Sequence, residues 1–244
     1  MLTNYIGRLY KNKIKIHLNN STAESVHLGI LLAMVGGFLD AYTFIERGGV
    51  FANAQTGNIV LFGVEASRGN WRQALIALPP IFAFVLGVII SEWTKKRSSL
   101  PFIKDPAKAI LILEIVILFI IGFIPRNFPD EVVTVTISFV SSLQISSFRT
   151  LVDSPYSTTM STGNLRSASY AAYIAFTEKD TKAAIRALRY FTIIFSFLLG
   201  AFLGGLLIFS IGIKSIWAAS LTLIFSVILF DIDERRTKEP LPDK

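Results

Sequence analysis

The sequence contains no cysteine and only two histidines among its 244 residues, and this scarcity excludes several kinds of chemistry. Without thiols the chain has neither a disulfide nor a cysteine nucleophile. With so few imidazole and thiolate ligands, a transition-metal site is not expected. The sequence also lacks a phosphate-binding loop and the pattern of a nucleophilic triad. We therefore expect no cofactor and no enzymatic activity.

Charge is scarce as well: charged residues make up 17% of the chain, against roughly 25% in soluble proteins. Hydrophobic residues make up 52%, and the mean hydropathy is +0.55. Because lipid cannot pair exposed backbone groups, the apolar runs predict the helices of an all-α integral membrane protein. The predicted segments are 27–46, 50–66, 74–94, 107–124, 132–150, 155–176, 186–210 and 213–231.

The net charge of +7 raises the question of a nucleic-acid partner. The Lys and Arg residues lie between the apolar segments, as is typical of cytoplasmic loops that face anionic lipid. The expected partner is therefore the lipid bilayer, and no nucleic acid is expected.

The two halves of the chain resemble each other. Gln55-Thr56-Gly57-Asn58 recurs 106 positions later as Ser161-Thr162-Gly163-Asn164, and we call these the T-G-N segments. Small residues upstream of each would let helices approach closely. The repeated order of small-residue helix, T-G-N segment and long apolar helix predicts an internal repeat. Further matches are Val35-Gly36-Gly37-Phe38 with Val140-Ser141-Ser142-Leu143 at an offset of 105, and Gly87 with Gly200 at an offset of 113.

Positive charge predicts how the segments cross the membrane. Lys and Arg cluster before the first segment, in the 95–108 and 177–189 connections and in the C-terminal tail, and they are sparse at 125–131 and 211–215. If both T-G-N segments enter and leave on one side, all four clusters fall in the cytoplasm, as the positive-inside rule requires. This arrangement has about six spanning helices and two broken or re-entrant T-G-N segments.

Three spans in each half would make the two repeats inverted relative to each other. The predicted organisation is a basic cytoplasmic segment at 1–21, membrane repeats at 22–124 and 132–231, and a tail at 232–244, with both termini cytoplasmic. Segment 155–176 is long enough to span alone, which leaves seven or eight spans as the alternative.

GGFLDAYTF followed by GGVFANAQTGNIV resembles the YoaK family of bacterial inner-membrane proteins, and LQISSFRTL followed by TTMSTGNL is similar to that family's second-half pattern. The resemblance covers residues 25–230. It implies a six-helix protein of the bacterial inner membrane and no established substrate. The family pattern reads closer to G-L-Q-N-A-x-F-R, whereas this chain has Ser142, Ile145 and Ser146 in place of Gly, Asn and Ala. A polar role at position 145 is therefore lost or moved.

Two carboxylates lie at membrane depth, where a charge is costly unless it pairs or lines a cavity. Asp40 lies in the middle of the first segment. It could exchange a proton and couple transport, or it could form a fixed salt bridge with Arg149 or Arg166 that holds the two halves together. Glu114 lies in the middle of 107–124 and must face the protein interior, either as a coupling carboxylate or as a buried hydrogen-bond partner.

The T-G-N segments are the second candidate site. A break at Gly57 or Gly163 would leave a helix terminus inside the protein, and its free backbone groups could bind a solute. A small polar or anionic solute would fit, with Arg149 or Arg166 as the counter-charge. The alternative is that these polar residues only hold helices together. The side chains concerned are Asn53, Gln55, Thr56, Asn58, Ser161, Thr162 and Asn164.

These observations predict a small-solute transporter or channel whose site lies where the two T-G-N segments meet. The alternative is a non-transporting membrane scaffold or partner subunit, which the small size and the small-residue helix faces would suit. Either protein could form a homodimer.

Overall fold

The computed structural model describes residues 25–96, 105–152, 154–159 and 161–238. Within these residues the chain forms nine α-helices, a short 3-10 turn and a two-stranded ribbon. The predicted basic segment at 1–21 and the last six residues of the predicted tail lie outside the described residues.

Among the described residues, five helices form a first group before residues 122–129, and four helices form a second group after them. The first group is α1 (Val26–Glu46), α2 (Gln55–Ser67), α3 (Trp71–Ile76), α4 (Leu78–Lys96) and α5 (Pro106–Ile121). The second group is α6 (Asp130–Ser147), α7 (Ser161–Thr177), α8 (Thr181–Ile211) and α9 (Ile216–Lys238), with the 3-10 turn at Gly212–Ser215. Between α6 and α7, strands β1 (Thr150–Leu151) and β2 (Ser154–Pro155) pair antiparallel.

Three stretches are long and apolar enough to cross a membrane: Val26–Glu46, Trp71–Lys95 and Thr181–Asp233. The third stretch contains both α8 and α9. Gly212, with a φ of +58°, ends α8 and divides the stretch. Large apolar side chains cover the outer surface, and Phe176 is 85% exposed. Such a surface is stable in lipid and costly in water. The prediction of a helical protein built for a membrane is confirmed.

The predicted segments follow the observed helices except around the T-G-N sequences. The chain before α2 and before α7 is irregular, although we predicted apolar segments at 50–66 and 155–176. The predicted breaks at Gly57 and Gly163 are wrong, because both glycines lie in the first turn of a helix and the break precedes that turn.

Backbone turns explain where these breaks fall. Gly48 and Gly49 adopt φ values of +79° and +72° after α1, and Val152 adopts a φ of +63° after α6. Glycine takes this conformation readily, whereas a β-branched residue is strained in it. A helix cannot continue through Gly48 and Gly49, so α1 ends before them, whereas Val152 lies in the turn between β1 and β2.

Helices of one half pack against helices of the other in a reciprocal way: α1 packs on α8 and α6 packs on α4. Both pairs approach closely. An ideal Cβ on Gly200 would lie 2.0 Å from the Met34 carbonyl oxygen, and one on Gly87 would lie 2.7 Å from the Phe139 carbonyl oxygen. Phe139 follows Met34 by 105 positions and Gly200 follows Gly87 by 113, which are the offsets read from the sequence. The two crossings are therefore equivalent.

Contacts along these pairs give the helix directions. The Ser138 hydroxyl donates to the Pro80 carbonyl at 2.8 Å, and Lys95, near the end of α4, donates to the Ser146 carbonyl at the end of α6. The α4 and α6 helices therefore run parallel. Gly29 and Gly204 likewise contact Ile193 and Phe38, respectively, so α1 and α8 run parallel.

The α5 and α9 helices run in opposite directions. The Trp217 indole donates to the Phe119 carbonyl at 3.0 Å and Lys108 pairs with Asp231, so α5 and α9 are antiparallel to each other. The Tyr42 hydroxyl donates to the Ile213 carbonyl at 3.2 Å, which places the start of α9 beside the end of α1. We call the end of the bundle where α1, α5 and α8 finish the distal end, and the opposite end the proximal end.

Candidate functional site

The connection between α1 and α2 folds back along α1 instead of leaving the bundle. The Asn53 amide nitrogen donates to Oδ1 of Asp40 at 2.7 Å, and the Asn53 side chain donates to the Gly36 carbonyl at 3.2 Å. Gly36 lies about 15 Å before the end of α1 at 1.5 Å per residue. The α2 helix therefore begins near the middle of α1 and returns towards the distal end.

The connection between α6 and α7 makes the corresponding approach from the proximal end. An ideal Cβ on Gly36 would lie 2.5 Å from Cγ2 of Thr159, just before α7. Asn53 and Thr159 are 106 positions apart, which is the repeat offset of the T-G-N sequences. Both connections thus reach the same residue of α1.

The two T-G-N asparagines make equivalent hydrogen bonds to the backbone of the preceding connection. Asn58 accepts from the Phe51 amide at 2.8 Å and donates to the Phe51 carbonyl at 2.7 Å. Asn164 accepts from the Ser157 amide at 3.3 Å and donates to the Ser157 carbonyl at 2.6 Å. In each case a side-chain amide bonds both the N–H and the C=O of the residue seven positions earlier. This geometry favours the structural alternative for both asparagines.

The other T-G-N side chains divide between the surface and the interior. Thr56, Thr162 and Gly163 are exposed. Gln55 turns inward, where its side chain donates to Oγ of Ser138 at 3.0 Å. The T-G-N residues as a set therefore do not converge on one point, and only Gln55 reaches across to the helix of the other half.

The structure does not contain the salt bridge considered for Asp40. Its carboxylate instead accepts from the backbone amides of Asn53 and Ala54, which satisfies it without a cation. Arg149 lies at the proximal end and donates to Glu92 at 3.1 Å, with both side chains partly exposed. Arg166 is exposed on α7. Neither arginine reaches Asp40, because both lie at exposed positions of the protein.

Glu114 is fully buried, and the structure gives it a partner from another helix. Its Oε2 accepts from the Gln144 side chain at 2.9 Å, whereas its Oε1 has no hydrogen-bond partner. The Ser141 hydroxyl lies near this carboxyl group. A buried oxygen without a partner is costly, so this position is one where water or a solute would be stabilised.

One face of α6 links the first T-G-N segment to Glu114. Ser138, Ser141 and Gln144 recur every three residues and are all buried. Ser138 bonds Gln55 at one end and Gln144 bonds Glu114 at the other. We call these five residues the polar track. Its helical part is about 9 Å long at 1.5 Å per residue.

Several buried side-chain atoms without a hydrogen-bond partner belong to the polar track or to the two connections that approach Gly36. The atoms concerned are Asn53 Oδ1, Glu114 Oε1, Ser141 Oγ, Thr158 Oγ1 and Thr159 Oγ1. The sequence analysis missed Ser138, Ser141, Gln144, Thr158 and Thr159 as site residues. Hydroxyl and amide residues at three-residue spacing within an apolar helix were the available signal.

Arg47 is a further residue that the sequence analysis did not single out as functional. Its side chain is fully buried at the distal end, where it donates to the Ile124 carbonyl at 3.1 Å and pairs with Asp130 at 3.4 Å. Beside it, Arg126 pairs with Glu46 at 3.0 Å. These two ion pairs join the end of α1 to the turn before α6 and close the distal end of the bundle.

Comparisons with known proteins agree with the helical membrane architecture. A family model described as "Protein of unknown function (DUF1275)" matches residues 28–229. The UPF0700 transmembrane protein YoaK of Bacillus subtilis (strain 168) is 27% identical over 140 residues, which cover 56% of this chain and 62% of that protein. The match thus spans less than two thirds of the relative's length. No solved structure matches the chain.

Proposed function

The chain belongs to the DUF1275 family and is a helical membrane protein, and we propose that it moves a small polar solute across the bilayer as a transporter or channel. The solute would bind at the polar track, beside the point where the two T-G-N connections approach Gly36. The observation that carries the proposal is that side chains of the polar track and of both connections keep buried oxygen atoms without hydrogen-bond partners.

The proposed topology has six spans, formed by α1, α3 with α4, α5, α6, α8 and α9. The helix directions support it, because each of these helices runs between the proximal and distal ends. The α2 and α7 helices, with 13 and 17 residues, are shorter than the ~20 residues of a spanning helix. The basic 177–189 connection lies at the proximal end, which would therefore face the cytoplasm.

In this topology the two repeats are inverted. The first T-G-N connection would enter from the distal side and the second from the proximal side. Inverted repeats with broken helices commonly place a solute site near the bilayer midplane, where irregular backbone lines a cavity. The reciprocal close approaches at Gly87 and Gly200 support a two-fold relation between the halves.

Single-cysteine labelling tests the topology directly, because the chain has no native cysteine. Ser67→Cys at the end of α2 and Asn127→Cys and Glu178→Cys between helices each place a thiol at an exposed position. With six spans, an impermeant maleimide applied outside intact cells labels positions 67 and 127 but not 178. Eight spans would leave all three unlabelled, and spanning by α7 alone would expose all three.

Ser141→Ala tests the solute site with little risk to folding. The Ser141 hydroxyl is buried near the Glu114 carboxyl group but makes no close hydrogen bond, so its removal should cost little stability. Ser220→Ala is the matched control, because it removes another unpaired buried hydroxyl from α9, outside the track. A solute at 100 times its dissociation constant stabilises the folded state by about 2.7 kcal/mol, which thermal unfolding detects.

We expect a stabilising solute to lose its effect in Ser141→Ala and to keep it in Ser220→Ala. The same pair should separate in a proteoliposome flux assay. Equal stabilisation of both variants would remove the track from the proposal. No stabilisation by any solute, together with a stable hetero-complex in mild detergent, would favour the scaffold function instead.

A further inference from the structure

We infer that the solute is a small cation that donates hydrogen bonds, of the ammonium or primary-amine class. The inference rests on the proposed function and assigns the substrate class of the same site. Its basis is the chemistry of the atoms that lack partners: they offer hydrogen-bond acceptors and negative charge.

The two best-defined unpaired atoms are acceptors. Asn53 uses its amide nitrogen to donate to the Gly36 carbonyl, which leaves its Oδ1 unpaired. Glu114 uses Oε2 to accept from Gln144, which leaves its Oε1 unpaired. A carbonyl or carboxylate oxygen cannot donate, so each needs an N–H or O–H group from the solute or from water. The Ser141 hydroxyl, near the Glu114 carboxyl group, can accept as well.

The balance of charge points the same way. Asp40 and Glu114 are buried, and neither takes part in an ion pair within the described part of the chain. Arg47, directly after the end of α1, is a buried cation. Seven residues, or about 10 Å along the helix axis, separate it from Asp40. Its guanidinium is already engaged by Asp130 and the Ile124 carbonyl.

An anion would find no counter-charge at this position. The sequence analysis had assigned that role to Arg149 or Arg166, and both lie at exposed positions away from the track. An anion brought towards Glu114 would meet acceptor oxygens and no free cation in a medium of low dielectric constant, which is unfavourable. A cation with N–H groups would pair with the carboxylate and satisfy the open acceptors.

The test is thermal unfolding of the full chain in detergent with methylammonium chloride as the probe. Tetramethylammonium chloride at equal concentration controls for ionic strength and has no N–H donor. Sodium formate and acetamide represent an anion and a neutral solute. Glu114→Gln is the diagnostic variant, because its side-chain oxygen can still accept from Gln144, and Glu65→Gln removes a carboxylate outside the track as the matched control.

We expect methylammonium, and not tetramethylammonium, to raise the melting temperature of the wild type and of Glu65→Gln. Loss of a charged hydrogen-bond partner should weaken binding to Glu114→Gln roughly 10- to 150-fold. The cation should also produce a current in proteoliposomes that this variant lacks. Equal binding of methylammonium by Glu114→Gln would overturn the inference.

The two proposals fail in different ways. Stabilisation by formate or acetamide that is lost in Ser141→Ala would overturn the cation class and leave the solute site intact. If no probe stabilises the protein and no current appears, both the substrate class and the proposed function are wrong.

Discussion

The close crossing of α1 and α8 allows one substitution to be predicted in detail. An ideal Cβ on Gly200 would lie 2.0 Å from the Met34 carbonyl oxygen and 2.7 Å from its Cα. These atoms belong to backbone, which cannot rotate aside as a side chain can. Gly200→Ala therefore has to push the two helices apart, and each helix belongs to a different half of the protein.

The magnitude follows from two opposing contributions. Alanine favours an α-helix over glycine by about 1 kcal/mol. Overpacking a close interface costs typically 1–3 kcal/mol and occasionally more, and here the contact involves rigid backbone on both sides. Because close packing of small residues is a principal source of helix association in membranes, we expect a net destabilisation of about 1–2 kcal/mol.

Gly205→Ala is the matched control, because Gly205 lies on the same helix with no atom within 4 Å of an added Cβ. This variant should be neutral, or stabilised by up to about 1 kcal/mol through helix propensity. Thermal unfolding in detergent, followed by size-exclusion chromatography, compares the two. Gly200→Ala should melt several degrees below Gly205→Ala, since 1 kcal/mol corresponds to about 2–4 °C in a chain of this size. Equal melting temperatures would show that the crossing is looser than the contacts indicate.

Three further substitutions can be measured in the same assay. Asn58→Leu leaves both peptide groups of Phe51 unpaired and should cost roughly 2–4 kcal/mol, so wild-type stability would contradict its structural role. Val152→Asn should raise the melting temperature. A left-handed backbone costs a residue with a Cβ roughly 1–2 kcal/mol, and asparagine tolerates this conformation better than valine. A lower melting temperature would count against backbone strain at this position. Asp40→Asn should be milder than Asp40→Leu, because its oxygen can still accept from the Asn53 amide; equal losses would mean that the carboxylate charge itself is needed.

Most helix positions followed from the sequence, because lipid imposes a simple requirement. A segment that crosses hydrocarbon has to be apolar and has to pair its own backbone, so hydropathy locates α1, α4 and α8 without knowledge of their neighbours. The repeat was also readable, since the offsets of 105 and 113 are visible in the letters alone. What the offsets did not reveal is that the helices of the two halves approach each other closely at Gly87 and Gly200.

The T-G-N segments show where sequence reasoning failed. Unusual polar residues in an apolar stretch marked the region, but the breaks were placed at Gly57 and Gly163 instead of before α2 and α7. The turn between β1 and β2 contains Val152, whose positive φ runs against the preference of a β-branched residue. Only the packing of the surrounding chain can hold such a residue in that conformation.

The sequence by itself determined a helical membrane protein and placed two carboxyl groups, those of Asp40 and Glu114, within apolar helical segments. The tertiary structure decided what those carboxylates bind: Asp40 meets backbone amides 13 and 14 residues away, and Glu114 meets Gln144, 30 residues away on another helix. These partners are set by how helices pack, which depends on small residues and backbone turns distributed over the whole chain. Local composition can show that a buried charge needs a partner, but only the packed structure identifies the partner.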